Sequence, residues 1–163
     1  MNGQVGNSPF DFAAASPLSD LFRVANAVRS ELTNRVLRRY DLTWTGFIVL
    51  AVVWNSDGVE TRHVAECADV SKATLTGVVK TLEGRGLLLR EGDQRDRRLV
   101  RLRLTDKGTA LTEQVHPEFH AVESAIISQL SGRKVSALTR TLRDMLDAVE
   151  GHVDTPATTR AGA

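Results

Sequence analysis

With a single cysteine, Cys67, among its 163 residues, the chain cannot form an intramolecular disulfide, and it suits a reducing compartment. Aromatic residues make up only 5%, too few for a large self-sufficient core, so one modest domain or a small domain completed by partner helices is expected. No apolar run is long enough to cross a bilayer, and the first residues lack the basic-then-apolar pattern of a signal peptide. A cytoplasmic protein without membrane attachment is expected. There is no glycine-rich phosphate loop, nucleophile elbow or histidine-rich metalloprotease motif, and the four histidines are scattered, so neither an enzyme nor a cofactor is expected.

A net charge of +1 does not by itself suggest a polyanionic partner, but the charge is unevenly spread. Between Arg62 and Lys107 there are 11 Lys/Arg against 7 Asp/Glu, while the rest of the chain carries 10 against 13. The basic excess is local to one region.

That region contains the stretch Val70 to Leu104. Ser71 is a favourable N-cap, with Val70 and Leu75 placed as a hydrophobic staple. Leu75, Val78, Val79 and Leu82 follow at amphipathic helical spacing, and Gly86 is a natural stop. The opposite face carries Lys72, Ala73, Thr76, Gly77 and Lys80, side chains short enough to let a helix approach base edges or cationic enough to meet phosphate. Beyond Gly86 the period becomes that of a strand. Val100, Leu102 and Leu104 alternate with Arg101 and Arg103, and Leu87 to Glu91 supplies a partner. Between the strands, Gly92-Asp93-Gln94-Arg95-Asp96-Arg97-Arg98 forms an arginine-rich tip suited to a narrow minor groove. The expected fold class is therefore mostly α with a small β-hairpin wing, a winged helix-turn-helix.

The runs Val64-Ala65-Glu66, Val70-Ser71-Lys72-Ala73-Thr74-Leu75-Thr76, Leu82-Glu83-Gly84-Arg85-Gly86-Leu87, Asp93-Gln94-Arg95-Asp96-Arg97-Arg98 and Leu104-Thr105-Asp106-Lys107-Gly108 occur in this order. Together they closely resemble the MarR family of bacterial transcription regulators, and the likeness extends more weakly from about Pro17 to Glu150. The resemblance implies a homodimeric, ligand-responsive repressor on a double-stranded, pseudo-palindromic operator. It also implies that Asp96 orients Arg98 for minor-groove insertion while Arg95 and Arg97 bind phosphate. In the helix, Lys72, Ala73 and Thr76 are candidates for base contact, with Ser71, Thr74, Lys80 and Arg62 nearer the backbone.

The remaining chain divides into a tail (1–15), a first helix (16–40), the reader (41–105), two C-terminal helices (106–151) and a second tail (152–163). Ser16-Pro17 starts the first helix, whose face is Leu18, Leu21, Phe22, Ala25, Val28, Leu32 and Val36, and which is expected to end near Arg39 or Tyr40. Asp41 or Thr43 caps a second helix that is apolar nearly all round, and Thr61 to Ala68 forms the supporting helix of the motif. Thr105 or Asp106 caps a helix with Leu111, Val115, Phe119, Val122, Ile126 and Leu130 on one face and Pro117 inside it, where a kink is expected. Ser131 begins the last helix, with Gly151 as the stop. The amphipathic terminal helices have no obvious partner except their copies in a second chain.

Tyr40, Trp44, Phe47, Trp54 and His63 surround the junction of the second helix and the reader, where the resemblance implies a small aromatic or phenolic effector; the alternative is plain core. Cys67 lies outside the first helix, where peroxide-sensing members carry their thiol, and is expected to be a small buried hydrophobe. His116 and His120, four apart, form a pair that resembles the one used by zinc-responsive members, although no further ligand is evident and no metal is assigned. The alternatives to a ligand-responsive DNA-binding regulator are a winged-helix interaction module with weak DNA binding and a metal sensor of the same fold.

Overall fold

A computed structural model describes residues 16–56, 58–92 and 99–153. In chain order these form α1 (Pro17–Arg35), a 3₁₀ helix (Leu37–Tyr40), α2 (Trp44–Trp54), β1 (Val59–Glu60), α3 (Thr61–Cys67) and α4 (Lys72–Gly84). The wing strands β2 (Leu88–Gly92) and β3 (Val100–Leu104) follow, then α5 (Asp106–Ile127) and α6 (Gly132–Val153).

Side-chain caps set the helix starts. The Ser16, Thr43, Ser71 and Thr105 hydroxyls accept the backbone N–H of Ser19, Gly46, Thr74 and Gly108, respectively, at 3.0–3.2 Å. Three helix ends close on a left-handed residue. At Gly86 (φ 68°), Leu87 N–H donates to Leu82 O at 3.0 Å and Gly86 N–H to Glu83 O at 2.8 Å. The same pair of bonds closes the ends at Asp41 (φ 51°) and Asp69 (φ 50°), because a short polar side chain tolerates this conformation better than most.

The reader's core is built from Phe47, Val49, Leu50 and Val53 of α2, Val64 of α3, and Leu75, Val79 and Leu82 of α4, with Leu87, Leu88 and Leu102 from the wing base. Each fully buried apolar side chain of this size contributes about 1.5–3 kcal/mol. In the sheet, order β1-β3-β2, β3 pairs antiparallel with both neighbours: Leu102 lies opposite Val59 and Arg90, and Arg101 opposite Glu60 and Glu91.

Several expectations are corrected. The first helix stops at Arg35, because Val36 (φ −117°, ψ −67°) leaves helical geometry and the chain tightens into a 3₁₀ turn that buries Leu37 completely. Thr43, not Asp41, caps α2. α5 ends at Ile127, before Leu130, and α6 continues through Gly151 to Val153, since an exposed glycine weakens a helix without blocking its hydrogen-bond ladder. Cys67 is exposed, not buried. α3 has fewer than two turns, its one buried stripe runs through Val64, and Cys67 falls to the solvent side of it. The tails 1–15 and 154–163 and the wing tip 93–98 lie outside the described residues.

The chain divides into two compact units, Met1–Ala121 and Val122–Ala163. Within the first, α1 buries Leu32 but leaves Leu18, Phe22 (67% exposed) and Val24 to solvent. Within the second, α6 exposes Leu138, Leu146 and Val149.

Candidate nucleic-acid interface

The buried stripe of α4 is Leu75, Val79 and Leu82, which turns Lys72, Ala73, Thr76, Gly77 and Lys80 outward together. All five are exposed. A groove of about 670 Å³ runs beside this face between α3, α4 and the wing strands, lined by Arg62, Ser71, Lys72, Thr76, Arg90 and Val100 among others. Among the described residues, no heavy atom beyond its own stretch of helix backbone lies within 4 Å of the position a Cβ would take at Gly77, so none of them requires glycine there.

The hydroxyls on this face are not equally available. Ser71 and Thr74 are engaged in the cap, with their oxygens 2.9 Å apart. Thr76 donates its hydroxyl proton to Lys72 O at 2.8 Å, which leaves its lone pairs to accept from a partner and its methyl to make apolar contact. Arg62 pairs with Glu66 at 2.9 Å, but both side chains are well exposed, and an ion pair of this kind is worth only a few tenths of a kcal/mol, roughly 0.3–0.5. A phosphate can replace the carboxylate at little cost.

The wing strands correct the reading of the local charge excess. Arg90 pairs with Glu83 of α4 at 3.0 Å, Arg101 with Glu60 at 3.3 Å and with Gly58 O at 3.1 Å, and Arg103 with Glu91 at 2.6 Å. Arg90 and Arg101 hold the wing base to the reader, and Arg103 ties the two wing strands together. On the outward face of α4 the described cations are Lys72 and Lys80, with Arg62 exposed on α3, while Arg95, Arg97 and Arg98, together with Asp96, lie outside the described residues.

The ring residues separate into distinct environments. Phe47 is core, 4.4 Å from the Phe119 ring centroid, and Trp44 reaches the same phenyl at 5.9 Å. Trp54 meets His116 at 5.2 Å, and His116 stacks on His120 at 6.5 Å between centroids. His63 is not part of this set. It is exposed on α3, with its Nε2 3.5 Å from Cys67 Sγ. Among the described residues no group of three His, Cys, Asp or Glu is arranged to hold a metal ion.

Tyr40 is tied to α5 by a hydrogen bond from its hydroxyl to Glu118 at 2.7 Å, and Glu118 also pairs with Arg39. The carboxylate acceptor holds the phenol proton, and with partial burial and the nearby negative charge it raises the Tyr40 pKa above its ordinary value. Sequence reasoning missed Arg29 and Arg38, which with Ser30, Thr33, Trp44 and Thr45 line a concavity of about 610 Å³ between α1 and the start of α2. Only its Trp44 wall was legible.

Comparison with known proteins agrees with this architecture. Residues 42–100 match the model of the MarR family. An uncharacterized HTH-type transcriptional regulator of Bacillus subtilis, YwaE, is 37% identical over 82% of this chain and 78% of its own. The crystal structure of the Staphylococcus aureus MepR–DNA complex superposes with a TM-score of 0.76 at 24% identity, covering 83% of this chain and 99% of that one. That of PcaV from Streptomyces coelicolor with its natural ligand gives 0.75 at 24% identity, covering 88% and 99%. Among the described residues no helix is long and apolar enough to cross a membrane. With its capped reading helix, wing and supporting helix in this order, the chain belongs to the MarR family of winged helix-turn-helix, DNA-binding transcription regulators.

Proposed function

We propose that the chain acts in the cytoplasm as a homodimeric, ligand-responsive repressor, not an enzyme, with α4 reading the major groove of a pseudo-palindromic operator. The carrying observation is the outward face of α4, where Lys72, Ala73, Thr76 and Lys80 share one exposed side of a helix fixed at both ends. Lys72, Ala73 and Thr76 approach base edges, while Ser71, Thr74, Lys80 and Arg62 border the backbone. On the family pattern, Arg98 enters the minor groove, oriented by Asp96, and Arg95 and Arg97 hold phosphate. The relation to MepR, whose structure contains DNA, supports this arrangement.

The dimer reading rests on the uncovered apolar stripes of α1 and α6. On α6, Arg133, Lys134, Arg140 and Arg143 precede Asp144, Asp147 and Glu150, the reverse of what the helix dipole favours. A second α6 laid antiparallel would set each basic half against an acidic one.

An effector would enter the concavity walled by Trp44, where Arg29 and Arg38 favour a small aromatic acid with its ring on the indole and its carboxylate on guanidinium. Of the other ring residues, Phe47 shares the Phe119 ring with Trp44, whereas Trp54 lies against His116, Tyr40 is held by Glu118 and His63 is exposed on α3. PcaV, solved with a ligand, is a structural neighbour.

The test is anisotropy titration of the full chain against its own upstream DNA at two salt concentrations with unrelated DNA as competitor. Tight, salt-sensitive binding that survives the competitor is expected. Equal binding to both DNAs would overturn the reading in favour of a weakly DNA-binding interaction module.

A further inference from the structure

Two helix C-termini converge at one arginine. Arg85 is the C-cap of α4, and its guanidinium donates to the last carbonyls of the 3₁₀ helix, Asp41 O at 2.5 Å and Tyr40 O at 2.8 Å. The carbonyls that α4 itself leaves open are closed from α5: Lys107 Nζ donates to Arg85 O at 2.8 Å and Thr105 Oγ1 to Gly86 O at 2.7 Å. Unpaired carbonyls at a helix end carry partial negative charge, so two such ends side by side repel unless cations lie between them. Arg85 and Lys107 are those cations.

The loop of contacts then closes. The 3₁₀ segment held by Arg85 is tied back to α5 through Tyr40 and Arg39, which share the Glu118 carboxylate. α5 therefore grips the base of the reader at Lys107 and again at Glu118, 11 residues on, a separation of about 16 Å along a helix. Two separate points of attachment on one helix restrain its orientation more than either would alone.

We infer that Arg85 is a positioning residue for operator binding, its bridge from the end of α4 to the Tyr40 and Asp41 carbonyls fixing the angle of the recognition helix against α5. This rests on the reading of the chain as a dimer whose α4 helices enter successive grooves. Arg85 faces backbone carbonyls, not the reading face, so it acts through the spacing of the two readers. It neutralises no phosphate.

The experiment uses full-length protein and a set of operators whose half-sites are moved apart or together by one and two base pairs. Arg85→Gln keeps a donor but loses the charge and the fork. Affinity for the preferred spacing should fall about tenfold, the typical worth of hydrogen bonds from a charged group. The spacing profile should broaden, and the salt slope should stay as in wild type. Lys107→Met removes the other cation and should broaden the profile in the same sense, which serves if Arg85→Gln does not fold. An unchanged spacing profile in both variants would overturn the inference. So would a salt slope reduced by about 0.9 in Arg85→Gln, the value for one lost phosphate contact. Wild-type protein with no preference among operators and unrelated DNA would instead sink the functional reading on which the inference rests, before any variant is compared.

Discussion

Gly108 separates packing from conformational strain in a single comparison. It occupies the first turn of α5, where a Cβ would lie 1.8 Å from Leu87 O and 2.8 Å from Leu87 C. Carbon and carbonyl oxygen approach no closer than about 3.3 Å, so Gly108→Ala forces α5 and the start of the wing apart by about 1.5 Å. Thr105 N–H to Leu87 O (3.1 Å) and Thr105 Oγ1 to Gly86 O (2.7 Å) cross that seam and would be stretched or lost. Two hydrogen bonds at about 1 kcal/mol each, with about 2 kcal/mol of forced displacement and up to about 1 kcal/mol returned by alanine's helix propensity, give a net loss of about 3 kcal/mol. Two other glycines are the controls. Gly77→Ala meets open space in mid-helix and should stabilise by about 1 kcal/mol, while Gly86→Ala meets open space at φ 68° and should cost about 1–2 kcal/mol in backbone strain alone. Urea unfolding followed by circular dichroism, at one fixed protein concentration so that any self-association contributes alike, measures all three. If Gly108→Ala unfolded at the same urea concentration as Gly77→Ala, the close approach of α5 to Leu87 would be refuted.

Tyr40 is the only tyrosine, so its ionisation can be followed directly in the near ultraviolet. Its folded pKa is raised above the unfolded 10.0, so the stabilisation is fully present below pH 10 and is lost as pH rises through the folded value. Glu118→Gln should bring the titration back toward its ordinary range, and an unmoved curve would rule out the carboxylate as the cause. Ser71→Ala should cost about 1 kcal/mol of stability through the lost cap, and Ser71→Gly only a few tenths, read from the same urea curves. Thr76→Ala should change base preference at one operator position by about 1 kcal/mol in a selection experiment, whereas Lys80→Ala should weaken all sequences alike and lower the salt slope by about 0.9. A small aromatic acid should quench fluorescence in Trp54→Phe, where only Trp44 remains; a titration with no change would remove that concavity as the effector site.

What could be read from the residues was whatever is encoded locally. α2 declared itself by unbroken apolar character, α4 by Ser71, its heptad-like stripe and Gly86, and the hairpin by the alternation of Val100, Leu102 and Leu104. What escaped notice depends on distant partners. β1 is two residues long, too short to alternate, and exists because Val59 finds Leu102 across 43 positions. Gly108 stood out as part of a run, but its reason is Leu87 O. Arg90, Arg101 and Arg103 looked like part of a basic patch until the strands set them beside Glu83, Glu60 and Glu91. Arg85 entered only as one residue of the run Leu82 to Leu87, and nothing in its neighbourhood along the chain indicates the carbonyls of Tyr40 and Asp41.

The bare stripe of α1 has a consequence for the protein's life in the cell. A newly made chain whose helices have formed still presents Leu18 and Phe22 to its surroundings, and such surface attracts chaperones, proteases and other unfinished chains. If two copies pair as proposed above, how long it stays bare depends on how soon the second arrives, and so on how much of the protein is being made. Abundance and survival are thereby linked, and a regulator diluted far enough would be removed as well as thinned.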